Sequence, residues 1–572
     1  MKKRTAIAWL VAWSVAVMMT ACGDAGGGDT TSPVFTSSAE ATVAENQTDA
    51  IVLAATDEGA ITFSITGGDA ELFTLGAVAV AGKLGTETNT SAVSFKTIPD
   101  YETKQTYTFT AMATDAVGNK ATQDVTIYIS DANDAPTASD FSATLDVNES
   151  DQAFDWKSAS GASDADGNTL SASIASTGTY GYFTISGDTL KYHKTDEGKQ
   201  ADTIDLIISD GNSTVTVTVS VSTLYWKQIS AAYSHTVALK SNGTLWAWGR
   251  NTHGQLGDGT MTEQHTPIQV GTATTWKQVA TGYSHTVAIK TDGTLWAWGR
   301  NAYGQLGDGT TAEKYSPVQI GTATTWKQVA AGYYHTVATQ ADGTLWAWGH
   351  NDYGQIGDNT TTDHHTPIQI GTGTIWERAE AGRYYTVAIR TDGTLWAWGS
   401  NDSGQLGDGS TSDRLSPVKI GISTTWKCVT GGEHHTVATR TDGTLWAWGY
   451  NSHGQIGNGT TTAQHTPLRV GTATIWEWTA AGYHTVATRA DGTLWAWGGN
   501  SHGELGDGTT TDQHSPVQIG TATVWEQLTG GRYHTVAIRT DGTLWAWGLN
   551  NNGQVGNNTT TNQNAPVQIL GR

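Results

Sequence analysis

The chain has 572 residues, more than one hydrophobic core usually serves, so about three or four separately packed units are expected. Charged residues make up only 15%, whereas 68 glycines and 25 tryptophans far exceed ordinary usage and point to tight turns and packed strands. The net charge of -22 is concentrated before residue 224, where 29 acidic side chains face 11 basic ones, against 24 and 20 in the remainder; this disfavours a general nucleic-acid binder and suits cation-binding carboxylates. Two cysteines, Cys22 and Cys428, exclude a disulfide framework.

Lys2, Lys3 and Arg4 precede an apolar run from Ala6 to Met19, shorter than the roughly 20 residues a spanning helix needs, and this reads as a secretory signal. The run ends in Met19-Thr20-Ala21-Cys22, which resembles the lipobox of bacterial lipoproteins. The resemblance implies removal of residues 1–21, lipidation of Cys22 and a flexible tether over 22–32. It places the chain, lipid-anchored, in the bacterial cell envelope, at the outer membrane or cell surface.

Alternation such as Ile61-Thr62-Phe63-Ser64-Ile65, Tyr107-Thr108-Phe109-Thr110-Ala111 and Val125-Thr126-Ile127-Tyr128-Ile129 predicts period-two strands separated by polar turns, the pattern of a sandwich. Ala44-Glu45-Asn46, Glu71-Leu72-Phe73, Pro99-Asp100-Tyr101-Glu102, Ala113-Thr114-Asp115 and Asp131-Ala132-Asn133-Asp134-Ala135-Pro136 resemble, in order, the signature of a cadherin repeat over residues 33–134. Ser163-Asp164-Ala165-Asp166-Gly167-Asn168, Phe183-Thr184-Ile185 and Ile208-Ser209-Asp210-Gly211 are similar to bacterial cadherin-like repeats and mark a second module over 135–223.

Calcium takes six to eight oxygen ligands, and carboxylates gathered between two modules would repel one another without it. The cadherin resemblance implies one junctional calcium site from Glu45, Asp100 and Glu102 of the first module, Asp131, Asn133 and Asp134 of the linker, and Asp164, Asp166 and Asp210 of the second module. Asp57 and Asp115 face the tether, where no preceding module completes a site.

From Trp226 one motif recurs at Trp276, Trp326, Trp376, Trp426, Trp476 and Trp525, a period of 50 with a single 49. Four short strands are visible in each copy, and Asn242-Gly243, or Asp-Gly as at Asp292-Gly293, supplies the chemistry of a two-residue hairpin turn. Residues 224–572 therefore read as a seven-bladed β-propeller, and the whole chain as all-β: two cadherin-like β-sandwich modules followed by the propeller. The GTLWAWG, GQLG and AG-x-x-HT elements resemble the repeats of the regulator of chromosome condensation family.

Tryptophans at three positions per blade read as inter-blade packing. His235, His285, His335, His435, His484 and His534 recur at one position, with Tyr385 in blade four; equivalent residues of a ring lie too far apart to share a metal, so hydrogen-bonded structural histidines are expected. Function is expected where the copies differ. After Trp-Ala-Trp-Gly come Arg250, His253, Arg300, Tyr303, His350, Tyr353, Tyr450, His453 and His502, a mixture suited to partner recognition on one face.

No Gly-x-Ser-x-Gly element and no pair of non-repeated carboxylates beside a histidine stands out, which argues against an enzyme. The expected function is a surface-anchored, non-catalytic binding or adhesion protein, with calcium stiffening a stalk and a propeller head recognising a protein or glycan. The alternatives are an envelope-assembly or inhibitor-type propeller and, behind these, a propeller hydrolase or lyase. Neither nucleic acid nor a small GTPase is expected as partner, since the exchange factor of this family works through a wedge inserted in one blade and these copies keep an even length.

Overall fold

The computed structural model describes residues 29–81, 87–195, 201–373 and 375–570. The signal segment, Cys22 and the first part of the tether lie outside the described residues. No helix among the described residues is long and apolar enough to cross a membrane.

The first module is a sandwich. One sheet contains Val34–Phe35, Asp49–Asp57, Glu87–Phe95, Phe73–Leu75 and Ala79–Ala81; the other runs Glu40–Ala44, Lys120–Ser130, Thr106–Thr114, Thr62–Thr66. Alternation puts Leu53, Val93 and Phe95 of one sheet against Phe109, Ala111, Val125 and Ile127 of the other, with Phe73 packed 4.6 Å from Phe95 and 5.1 Å from Phe109 between ring centroids.

In the second module Phe141–Asp146 pairs in parallel with the end of Thr214–Leu224, followed across the sheet by Asp202–Ser209 and Ser171–Ile174; Asp151–Asp155, Thr189–Lys194 and Gly181–Ser186 form the facing sheet. By compactness the chain divides into two units. One unit holds the first module with residues 162–171 and 208–215; the other joins the rest of the second module to the propeller. Chemistry accounts for both groupings. The two segments carry Asp164, Asp166 and Asp210, which bond to the 131–134 linker, while Lys240 pairs with Asp146 at 2.7 Å and Val147 packs with Trp226 and Trp248.

Seven four-stranded antiparallel sheets follow. Blade one is Trp226–Ala231, His235–Lys240, Leu245–Gly249 and Gln264–Gln269, and every later blade repeats this order from contiguous sequence. The ring therefore closes without strand exchange. The seam between blades seven and one uses the same bonds as any other: Trp248 Nε1 donates to the Gln554 carbonyl at 2.9 Å, as Trp298 Nε1 donates to that of Gln255 at 3.0 Å. Gly257, at φ +81°, makes this approach possible, since a Cβ there would lie 2.6 Å from Trp298 Nε1.

The Asn/Asp-Gly turns differ from the two-residue hairpin expected. Gly243 has positive φ but Asn242 does not, Gly243 N–H donates to the Lys240 carbonyl, and Lys240 N–H pairs with the Thr244 carbonyl, so a three-residue turn replaces the mirror-image one. The first turn residue acts through its side chain: Asn242 Oδ1 accepts from Thr244 N–H at 3.1 Å and from its hydroxyl at 2.8 Å.

The recurring histidines are buried and stitch blade to blade. His235 Nε2 meets Thr286 Oγ1 at 3.2 Å, and the series continues to His534 with Thr236 at 3.0 Å across the seam. Thr286 Oγ1 spends its proton on the Gln255 carbonyl at 2.8 Å, so it accepts from the imidazole, and the Nε2–H tautomer follows. Burial lowers each of the six imidazoles to about 3, which keeps them neutral. Tyr385 substitutes by donating its hydroxyl to the His435 carbonyl at 2.6 Å.

Candidate functional site

Each copy of AG-x-x-HT places its two variable residues at one mouth of the propeller channel. The first variable position supplies Tyr233, Tyr283, Tyr333, Arg383, Glu433 and Arg532, and the missing residue of blade six is this one. Glu433 is 5% exposed and takes the Tyr333 hydroxyl, with Arg532 Nε at 3.0 Å and Arg383 Nη1 at 4.0 Å. Tyr333, Glu433 and Arg532 belong to blades three, five and seven, so this clasp joins non-neighbouring blades across the mouth, where a cavity of about 160 Å³ remains. Burial, then the Glu433 charge, holds the Tyr333 hydroxyl far above its ordinary range.

Around the clasp runs an aromatic belt. Ring centroids are 4.4 Å apart for Tyr233 and Tyr283, 5.0 Å for Tyr283 and Tyr333, 6.0 Å for Tyr333 and Tyr384, and 5.4 Å for Tyr483 and Tyr533. Arg383 lies 5.1 Å from both Tyr333 and Tyr384, and Arg532 lies 4.9 Å from Tyr233 and 4.8 Å from Tyr533.

Several residues after Trp-Ala-Trp-Gly meet this belt beside the second variable residue of the next blade. Tyr303 is 5.1 Å from Tyr334, Tyr353 5.0 Å from Tyr384, His453 4.9 Å from Tyr483 and His502 5.0 Å from Tyr533. Arg300 lies 5.0 Å from the Tyr334 ring, Arg250 bonds Thr252 at 3.1 Å, and His253 pairs with Glu313 at 2.6 Å. Tyr450 lies between His434 and His453, at 6.1 and 6.4 Å. His350 does not join the accessible surface. It is buried, its Nδ1 accepting from Gln355 at 2.7 Å and its Nε2 donating to Asp352 at 3.0 Å, because its ring fills the gap between Tyr303 and Tyr384.

The belt residues at the first variable position are non-repeated letters inside a repeated motif, the same signal that marks the segment after Trp-Ala-Trp-Gly. The fold also assembles a chain that sequence reasoning missed: Tyr483 Oη contacts His453 Nε2 at 2.7 Å, and His453 Nδ1 contacts Asp512 Oδ2 at 2.7 Å. This has the shape of a catalytic relay, but burial and neighbouring tyrosines push the Tyr483 hydroxyl up to about 12, the reverse of an activated nucleophile.

In the unit built on the first module, carboxylate oxygens of Glu45, Glu102, Asp131 and Asp166 lie within 4.8 Å of one another. Burial, and then the charges of Asp166, Glu45 and Asp134, raise the Asp131 carboxyl. Glu102 is raised too: its own amide bond pulls downward, and desolvation with Glu45, Asp166 and Asp131 outweighs it. Asp164 Oδ2 and Asp166 Oδ1 are buried without a hydrogen-bond partner. Oxygen donors that repel one another and carry orphaned lone pairs fit a hard divalent cation.

The other expected ligands make different contacts. Asp100 caps its own turn, accepting from Thr103 N–H and hydroxyl at 3.0 Å, and Asn133 donates to Asp210 at 2.8 Å. Asp134 N–H donates to Asp166 at 2.8 Å, and Asp134 Oδ1 accepts from Asn46 at 2.9 Å. Asp57 and Asp115 group with Asp29, a residue read as tether.

A family model described as RCC1-like domain matches residues 160–482, starting ahead of blade one, and models of the regulator of chromosome condensation (RCC1) repeat match 491–538, 541–572 and 525–554. Over 51 residues the chain is 43% identical to the Ultraviolet-B receptor UVR8 of Arabidopsis thaliana, a match covering 9% of this chain and 12% of the receptor. Among solved structures, yeast RCC1 (Prp20) bound to Kap60 is similar with a TM-score of 0.53 and 21% identity, over 61% of this chain and 85% of that one. Human WBSCR16 has a TM-score of 0.53 and 21% identity, over 57% of this chain and 94% of its own. At these identities the two structures share the fold.

Proposed function

The chain belongs to the RCC1-like domain family, and from that premise we propose that it is a non-catalytic protein-binding propeller, lipid-anchored in the bacterial envelope and carried on calcium-stiffened, cadherin-like modules. The observation that carries the reading is the belt of non-repeated tyrosines, histidines and arginines around the channel mouth. Rigid aromatic and guanidinium groups supply contact area at low entropic cost. The Glu433 clasp ties blades three, five and seven together across that mouth. A structurally similar protein, yeast RCC1 (Prp20), is itself a protein binder: one structure has it bound to Kap60, and another was studied for binding to Gsp1p and histones. The even copy length supports a partner other than a GTPase, and Met19-Thr20-Ala21-Cys22 supports the anchor.

Glu45, Glu102, Asp131 and Asp166, with Asp164 beside them, would hold calcium. The ion supplies the positive charge that lets these carboxylates stay together and the linker stay straight. Two measurements test the reading. The full chain should capture a protein from cell envelopes, and the triple change Arg300→Ala, Tyr353→Ala, Tyr384→Ala should abolish capture; unchanged capture would move recognition away from the mouth. Calorimetry should show saturable calcium binding that Asp166→Asn with Glu102→Gln removes, whereas identical heats from both proteins would refute the metal site.

A further inference from the structure

Every blade carries a T-shaped tryptophan pair at its end opposite the channel mouth, made by the first Trp of the motif and the Trp of Leu-Trp-Ala. Centroid distances run from 6.0 Å for Trp226 and Trp246 to 6.2 Å for Trp376 and Trp396. The blade-three pair, Trp326 and Trp346, is no different at 6.0 Å and 73°. In six blades a cation from the end of the second strand sits on this pair: Lys240, Lys290, Arg390, Arg440, Arg489 and Arg539. Arg390 lies 3.7 Å from the Trp396 centroid and 4.6 Å from that of Trp376, and Lys290 stands 3.7 Å over Trp296. The negative π face of an indole attracts such a charge.

Blade three has Gln340 at this position, and Thr325 Oγ1 donates to its Oε1 at 3.1 Å. The aspartate two residues further on completes the argument. Asp292, Asp392, Asp442 and Asp491 are each held lower by their turn threonine and, in part, by the cation of their own blade, whereas Asp342 is held by Thr344 and by no cation among the described residues. Blade three thus keeps the tryptophan pair and the turn carboxylate that in those four blades accompany a positive charge, and lacks the charge itself. A cleft of about 470 Å³ lined by Trp326, Trp346, Gln340, Gln319 and Pro367 adjoins the pair, and blade four has an equivalent one of about 560 Å³ beside Trp376, Trp396 and Arg390, so the blades share the cleft and differ in the cation.

We propose that the end of blade three opposite the channel mouth is a receptor slot for an organic cation, an alkylammonium or guanidinium group brought by a partner's side chain or a small ligand, with Trp326 and Trp346 as its walls. The slot is separate from the channel mouth, so its failure and the failure of mouth recognition are independent. The chemistry of the occupant is fixed by the six sister sites, where lysine and arginine both serve.

The test uses the full chain with 5-fluorotryptophan placed at position 346, titrated with N-acetyl-arginine amide and with tetramethylammonium at constant ionic strength and followed by fluorine NMR. The proposal expects a saturable shift of this resonance, with apparent affinity weakened about tenfold or more in Gln340→Arg, where the chain fills its own slot. In a second variant, Arg390→Gln with the label at 396, the same titration should produce a new saturable shift. A linear drift in the unmutated slot, or an equal response from Gln340→Arg, would overturn the proposal. Failure of Arg390→Gln to gain a response, in a protein whose other resonances show it folded, would do the same.

Discussion

The histidine ring and the channel mouth are encoded within five consecutive residues of each copy, and they obey opposite rules. In AG-x-x-HT the histidine is nearly invariant, wholly buried and neutral, and its one contact joins it to the next blade. The two letters before it change from copy to copy, and through Glu433, Arg532 and Tyr333 they connect blades that are not neighbours. Repetition serves interfaces that occur seven times. What occurs once, the axis and the surface above it, requires residues that break the repetition.

The largest test of this contrast is acid. Each ring histidine has a folded value near 3 against 6.5 when unfolded, so the unfolded chain binds protons that the folded one refuses. Stability is complete above pH 6.5 and falls as pH drops toward 3, by roughly 1.4 kcal/mol per histidine per pH unit. Urea midpoints of the full chain between pH 7 and 4 should show a dependence approaching six protons for propeller unfolding; a slope near one would mean the ring opens to water.

A smaller effect is expected at Glu504, which stands where the other six blades have glutamine, is buried with Oε1 unpartnered, and is raised by burial to about 7. Its folded state binds the extra proton, so stability drops as pH rises from about 4.5 to 7 and stays low above. Glu504→Gln should restore about 3 kcal/mol above pH 7 and nothing at pH 4, read from the same denaturation series.

Glu433→Gln sharpens the comparison further, since it removes the anion between two arginines without touching a blade interface. It should cost about 1–3 kcal/mol and lower the midpoint without changing the slope with urea. Smallest of all, Tyr353→Ala, at a side chain 38% exposed, should move stability by less than about 0.5 kcal/mol while weakening partner capture.

The repeat made the architecture readable: Trp226 and its six successors mark the blades, and the alternation around Phe109 and Ile127 marks the first sandwich. The acidic set was readable from its likeness to a cadherin repeat; of its carboxylates Glu45, Glu102, Asp131 and Asp166 come within 4.8 Å of one another, while Asp100 caps its own turn and Asn133 reaches across to Asp210. What the repeat hid was the mouth. A period of 50 says which residues are equivalent and nothing about residues brought together across an axis, so the approach of Tyr333 to Glu433, 100 positions apart, has no local signature. The turn type escaped for a different reason: Asp-Gly suits several turns, and the Thr that follows, by bonding the Asp side chain, selects the longer one.

Because every blade is made from unbroken sequence, the propeller has no privileged first member. Each copy is a self-sufficient cassette whose outgoing bonds, histidine to threonine and tryptophan to carbonyl, are accepted by any other copy. A ring sealed by borrowing a strand must preserve its ends, but this one can inherit a duplicated, lost or reordered cassette and leave no strand unpaired. The 49-residue sixth copy, trimmed at the mouth with its interfaces intact, shows such editing confined to the surface where the copies already differ.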